Sequence, residues 1–136
     1  MADGKPVVVI TGASGGVGRA TVREFARCGA RIALLSRGID RLNAAKKEAE
    51  EAGGQALVLP TDVADPEQVE AAAERTEREL GPINIWVNNA MTTIFSRFSE
   101  IRPDEYKRAT EVTYLGCVYG TMSALKRMKS RNRGTI

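Results

Sequence analysis

Val7-Val8-Val9-Ile10-Thr11-Gly12-Ala13-Ser14-Gly15-Gly16-Val17-Gly18 passes without a break from a β-branched run into a turn built on glycine. An apolar run with no polar alternation suits a strand covered on both faces of a sheet. Beyond the glycines, Val17, Thr21, Phe25 and Cys28 recur at helical spacing, with Arg19, Arg23 and Arg27 on another stripe, and Gly29 supplies the stop. A strand that feeds a helix through such a turn offers a phosphate free backbone N–H groups and the positive end of the helix dipole. The missing Cβ atoms let the phosphate approach. The same glycines would also serve if their task were only to bring helix and strand together. A nucleoside-triphosphatase loop is excluded, because it ends in Gly-Lys-Ser/Thr and here Gly18-Arg19-Ala20 stands instead.

Outward from this turn the pattern repeats. Arg31–Ser36 reads as a second strand, and Leu42, Ala45, Ala49 and Ala52 mark the inner face of a second helix, which Gly53-Gly54 ends. Residues 56–59 make a short third strand. Asp65-Pro66-Glu67-Gln68 combines an N-cap, a proline at the first helical position and a capping-box glutamine, opening a helix that turns Val69, Ala73, Thr76 and Leu80 inward. Gly81-Pro82 closes it. A fourth strand follows at 83–87 and an irregular loop at 88–100. From Pro103 a long helix carries Tyr106, Ala109, Val112, Leu115, Tyr119, Met122 and Leu125 on one side. Gly134-Thr135-Ile136 has the character of a fifth strand's first residues. Strands alternating with helices of ten or more residues imply βαβ units, so the expected class is α/β with a doubly wound parallel sheet, incomplete after the start of the fifth strand.

The chain has 136 residues, 43% hydrophobic and 27% charged, which fits one globular domain spanning 1–136, or part of one. The strongest apolar runs fall far short of the ~20 residues that cross a bilayer, and no secretory leader opens the chain, so no membrane and a cytoplasmic location are expected. There is no histidine and there are two distant cysteines, Cys28 and Cys117, which excludes a zinc cluster and every histidine-based catalytic device. Both cysteines are expected to be buried free thiols of a reducing compartment. Residues 48–79 hold ten acidic and two basic side chains, while Lys126, Arg127, Lys129, Arg131 and Arg133 crowd the other end. No aromatic residue interleaves that basic run. A solvated helix end favoured by the dipole accounts for it, and nucleic acid is not expected as a partner.

The glycine spacing is Thr-Gly-x-x-x-Gly-x-Gly, set by Gly12, Gly16 and Gly18, and it resembles the short-chain dehydrogenase/reductase family. Asp62-Val63 after the third strand, Asn88-Asn89-Ala90 after the fourth and the long helix from Pro103 extend the resemblance, in order, over essentially the whole chain. It implies a Rossmann fold in which Gly12, Ser14, Gly15, Gly16, Val17 and Gly18 surround a cofactor pyrophosphate and its adjoining ribose. By the same resemblance the Asp62 carboxylate bonds the adenine amino group, Val63 packs beside the ring, and Asn89 and Ala90 line the cofactor ribose. A polar residue just past the carboxyl end of a parallel strand also lies where open α/β sheets bind ligands, which supports Asp62 independently. The alternative for Asp62 is to cap a turn.

Cofactor choice is readable at the end of the second strand, where an acidic residue would bond the 2′-hydroxyl of NAD and repel a 2′-phosphate. Here Ser36-Arg37 stands. A guanidinium takes a phosphate with two parallel bonds and the Ser36 hydroxyl adds another, so NADP is expected ahead of NAD unless Arg37 is merely an exposed cation.

In the family resembled, chemistry rests on a serine, a tyrosine followed four positions later by lysine, and an asparagine in the long helix. None of these is present: Tyr106, Tyr114 and Tyr119 are followed at that distance by Thr110, Val118 and Ser123, and Thr113 stands where the asparagine is usual. Met91 replaces the glycine that commonly follows Asn-Asn-Ala. The resemblance therefore implies the N-terminal, NADP-binding part of an oxidoreductase acting on a small alcohol or carbonyl, itself inactive in isolation and commonly a homo-oligomer. A standalone nucleotide-binding or sensor module is the other reading.

Overall fold

In the computed structural model, which describes residues 4–136, β1 (Val7–Thr11) lies at the centre of a parallel sheet. It pairs on one side with β2 (Arg31–Ser36), Val7 opposite Arg31 through Thr11 opposite Leu35, and on the other with β4 (Ile85–Val87). Beyond β2 lies β3 (Gln55–Pro60), giving the order β3-β2-β1-β4. The Trp86 N–H donates to the Thr135 carbonyl and the Thr135 N–H to the Asn84 carbonyl, both at 2.9 Å, so the chain's last residues begin a parallel fifth strand beside β4.

Successive β1 side chains enter opposite layers, as strand geometry requires. Val8 and Ile10 pack with Ile32 and Leu34 against α1 (Gly16–Arg27) and α2 (Ile39–Glu51), whose inward residues are Val22, Ala26, Leu42, Ala45 and Ala49. Val7 and Val9 pack with Ala33, Leu35 and Trp86 against α3 (Pro66–Leu80) and the long C-terminal helical segment. Helices cover both faces, which is why the strands read as unbroken apolar runs. Each fully buried valine or isoleucine contributes about 1.5–3 kcal/mol. The Asp65 Oδ1 accepts from the Glu67 N–H at 3.0 Å and the Gln68 N–H at 3.4 Å, so the expected cap of α3 is present. The Gln68 side-chain oxygen bonds the Asp62 N–H instead of closing the capping box.

Four expectations change, the last of them at the basic end of the last helix. The inner face of α1 is Gly18, Val22 and Ala26; Val17, at the helix start, is 75% exposed, and Cys28 is exposed after the helix ends. Cys117 is exposed too, so neither thiol is buried. The helix expected from Pro103 is divided into α4 (Pro103–Thr110), one π-helical turn (Glu111–Leu115) and α5 (Gly116–Ser130). One extra residue per turn rotates all that follows by about 100°. After Val112 the buried face therefore runs Gly116, Gly120, Ser123, Ala124 and Met128, while Met122 and Leu125 point outward. Tyr119 remains partly buried against the core.

The basic end of α5 is not simply solvated. Lys126 and Arg127 pair with Glu70 at 3.0 and 2.9 Å, and Arg131 pairs with Glu77 at 2.7 Å, so the acidic α3 neutralises the basic α5. Among the described residues no helix is long and apolar enough to cross a membrane.

Candidate functional site

At the carboxyl end of the sheet, where β1 and β4 lead away into separate loops, lies a cleft of about 610 Å³. Such a switch point is where open α/β sheets hold ligands. One wall is the turn between β1 and α1. Its first glycine, Gly12, has φ +65°, and a Cβ there would lie 2.8 Å from the Asn89 amide nitrogen. A Cβ on Gly18 would overlap the Gly12 carbonyl oxygen, so only glycine lets the first turn of α1 sit against the strand end. At Gly15 and Gly16 the opposite holds: an added Cβ meets nothing within 4 Å, and both residues line the cleft.

The N-terminus of α1 bears no side-chain cap and no acidic residue in its first turn. Its backbone N–H groups and the dipole's positive end therefore face the cleft without an internal anion. This glycine cradle, with room for atoms where Cβ atoms would stand, fits the pyrophosphate of a dinucleotide.

The turn is braced from the far side. Thr11 is 2% exposed; its hydroxyl accepts from the N–H groups of Asn89 and Ala90 at 3.0 Å, and the Asn89 amide donates to the carbonyls of Thr11 and Gly12 at 3.1 and 3.2 Å. The pair Asn89-Ala90 thus fixes the glycine loop as well as lining the cleft. Asn88 turns the other way, accepting from the Trp86 indole at 2.9 Å and donating to Thr121 at 3.0 Å.

Ser36 and Arg37 stand at the end of β2, and Arg41 joins them from the first turn of α2. The Arg37 and Arg41 side chains make no ion pair or hydrogen bond among the described residues. Opposite them is Asp62. Burial disfavours its charge, but the Arg108 guanidinium and the Ala64 N–H more than offset this and hold the carboxyl below its usual range, with Arg37 adding a longer-range pull. The carboxylate is ionised at neutral pH, and the surrounding charge stays positive.

Of the expected site residues, all but Gly18 and Thr113 line this one cleft, and Gly18 supports it from behind. Thr113 lies in the π-helical turn. Its hydroxyl donates to the Thr92 carbonyl at 3.0 Å and accepts from the Thr92 N–H at 3.1 Å, tying the loop after β4 to the helix. Met91 lines the cleft at 67% exposure. Arg41 and Arg108 were not anticipated. Arg41 had a local signal, a second arginine one turn beyond Arg37; Arg108 had none, since it lies 46 positions from the carboxylate it meets.

The chain matches the family model described as short chain dehydrogenase over residues 6–136. It is 38% identical over 134 residues to a 3-dehydrosphinganine reductase of Danio rerio, covering 95% of this chain and 40% of that protein. Among solved structures it is similar to an alcohol dehydrogenase of Thermococcus sibiricus complexed with 5-hydroxy-NADP, with TM-score 0.88, 32% identity and coverage of 96% of this chain and 56% of that one. It is similar also to an L-sorbose reductase of Gluconobacter frateurii complexed with NADPH and L-sorbose, with TM-score 0.87, 34% identity and coverage of 96% and 50%. The chain thus spans about half, or less, of the length of these relatives.

Proposed function

The chain belongs to the short-chain dehydrogenase family, and from that membership we propose that it is the NADP(H)-binding part of an oxidoreductase acting on an alcohol or carbonyl compound. The observation that carries this reading is the uncapped N-terminus of α1 opening on a glycine-walled cleft whose far end is lined by Ser36, Arg37 and Arg41. Bound, the cofactor would supply or accept a hydride. The chain's own residues hold it. The N–H groups at Gly16, Val17 and Gly18 take the pyrophosphate, with Gly12, Ser14 and Gly15 around it. Ser36, Arg37 and Arg41 take the 2′-phosphate. Asp62 accepts from the adenine amino group, Val63 lies beside the ring, and Asn89 and Ala90 shape the ribose pocket. The exposed Val17 gains apolar cover when the cleft is filled.

Preference for NADP over NAD rests on charge. No acidic residue ends β2, and the two guanidiniums there make no ion pair or hydrogen bond among the described residues. The pair that the family uses for proton transfer does not occur in this stretch, since no tyrosine is followed four positions on by lysine. The 136-residue stretch alone is accordingly a binding unit, and turnover belongs to the whole protein.

The test is a fluorescence titration of NADPH and NADH against the protein of natural length and its Arg37→Ala variant. Loss of a charge-assisted phosphate contact, roughly 1.5–3 kcal/mol, predicts NADPH binding weaker by tenfold or more with NADH little changed. Equal affinities for the two dinucleotides in the unsubstituted protein overturn the assignment.

A further inference from the structure

Arg108 lies on α4, outside every glycine, strand-end and loop feature of the cofactor cradle, yet it lines the same cleft. Its guanidinium donates through Nη1 to Asp62 Oδ2 at 3.0 Å and through Nη2 to Asp62 Oδ1 at 3.1 Å, a two-bond fork between side chains 36% and 29% exposed. Asp62 Oδ1 also accepts from the Ala64 N–H at 3.0 Å, and the Asp62 N–H is held by the Gln68 side chain at 2.9 Å. A carboxylate has about four acceptor positions. Three are taken here, two on Oδ1 and one on Oδ2.

We infer that Arg108 is a positioning residue for base recognition: its fork fixes the Asp62 carboxylate so that the acceptor position left on Oδ2 meets the 6-amino group of the cofactor's adenine. The inference rests on the reading of the cleft as an NADP(H) site and adds to it the basis on which one purine is told from another. A 6-amino group donates to that lone pair. The 6-oxo group of hypoxanthine would bring a second acceptor against a carboxylate that cannot turn away. Lysine cannot replace the arginine, because a point charge draws the carboxylate in without fixing its plane. A purely electrostatic Arg108 would attract both dinucleotides alike.

The experiment measures binding, by fluorescence, of NADPH and of its reduced hypoxanthine analogue to the natural-length protein and to Arg108→Leu and Arg108→Lys, each checked by circular dichroism for retained fold. The unsubstituted protein is expected to favour adenine by about tenfold, the cost of facing a half-buried, fixed acceptor with the wrong group. In both variants that ratio is expected to fall at least threefold, in Arg108→Lys with the smaller loss of overall affinity. The inference is overturned by an unchanged ratio in Arg108→Lys, by equal weakening for both bases in Arg108→Leu, or by no base preference in the unsubstituted protein. In these cases NADPH binding itself stands. If the unsubstituted protein binds neither dinucleotide, the cofactor reading fails, and this inference with it.

Discussion

Gly18 shows how little tolerance the cleft has. A methyl group there overlaps the Gly12 carbonyl oxygen and approaches the Asn89 amide, which itself braces the turn. Neither neighbour can yield without moving the loop that offers its N–H groups to the ligand. Gly18→Ala is therefore expected to destabilise the protein by about 1–3 kcal/mol and to abolish measurable NADPH binding, as read by thermal unfolding and titration. Gly15→Ala is the control, since its Cβ meets no protein atom; it is expected to leave stability within about 0.5 kcal/mol while still weakening NADPH. Unaltered binding in Gly18→Ala would remove the turn from the site. At this scale much was legible in the sequence: the strand, the glycines and Ser36-Arg37 are local. Thr11 was read only as the end of a strand, because nothing in a β-branched run announces that its hydroxyl will accept two N–H groups from residues 78 and 79 positions away.

The π-helical turn at Glu111–Leu115 decides what α5 does. Continuous helical spacing from Tyr106 leads to Leu115, Met122 and Leu125, an apolar stripe that reads as a core face. The inserted residue hands the core instead to Gly116, Gly120, Ser123 and Ala124, which no hydrophobicity pattern would select. At Gly120 the reason is close packing: a Cβ would lie 2.7 Å from the Trp86 indole nitrogen. Ala124→Asp is accordingly expected to cost more than about 3 kcal/mol in chemical denaturation, and Leu125→Asp, at a half-exposed position, about 1 kcal/mol. The reverse order would return Leu125 to the core and contradict the rotated register.

Between α3 and α5, Glu70 accepts from Arg127, Ser123 and Lys126. The Arg127 bond, opposed by burial and helped by Ser123 and Lys126, pulls its carboxyl down to about 2 from 4.5. A depressed carboxyl stabilises the fold above the unfolded-state value and loses that contribution as pH falls. Stability should thus decline between pH 4.5 and 2, and the slope over that window should flatten in Glu70→Gln, as followed by circular dichroism. An identical acid profile would mean that the network adds nothing to folding.

At the scale of the whole molecule, parallel strands with helices on both faces follow from alternation along the chain, whereas the order β3-β2-β1-β4 does not, since the same alternation also builds sheets ordered 2-1-3-4-5. Nor does the alternation specify which distant side chains meet. Arg108 reaches Asp62 only because α4 returns across the carboxyl end of the sheet, and charge composition alone placed the basic end of α5 in solvent instead of against α3. The consequence is a cleft that is positive where Arg37, Arg41 and Arg108 line it, although Asp62 stands among them.

The most direct test of that account is a crystal structure of the natural-length protein grown with NADPH. The pyrophosphate is predicted on the N–H groups of Gly16, Val17 and Gly18, the 2′-phosphate between Ser36 and Arg37, and the adenine amino group against Asp62. Density for the cofactor elsewhere, or in this cleft with its 2′-phosphate turned away from Arg37 into solvent, would contradict it.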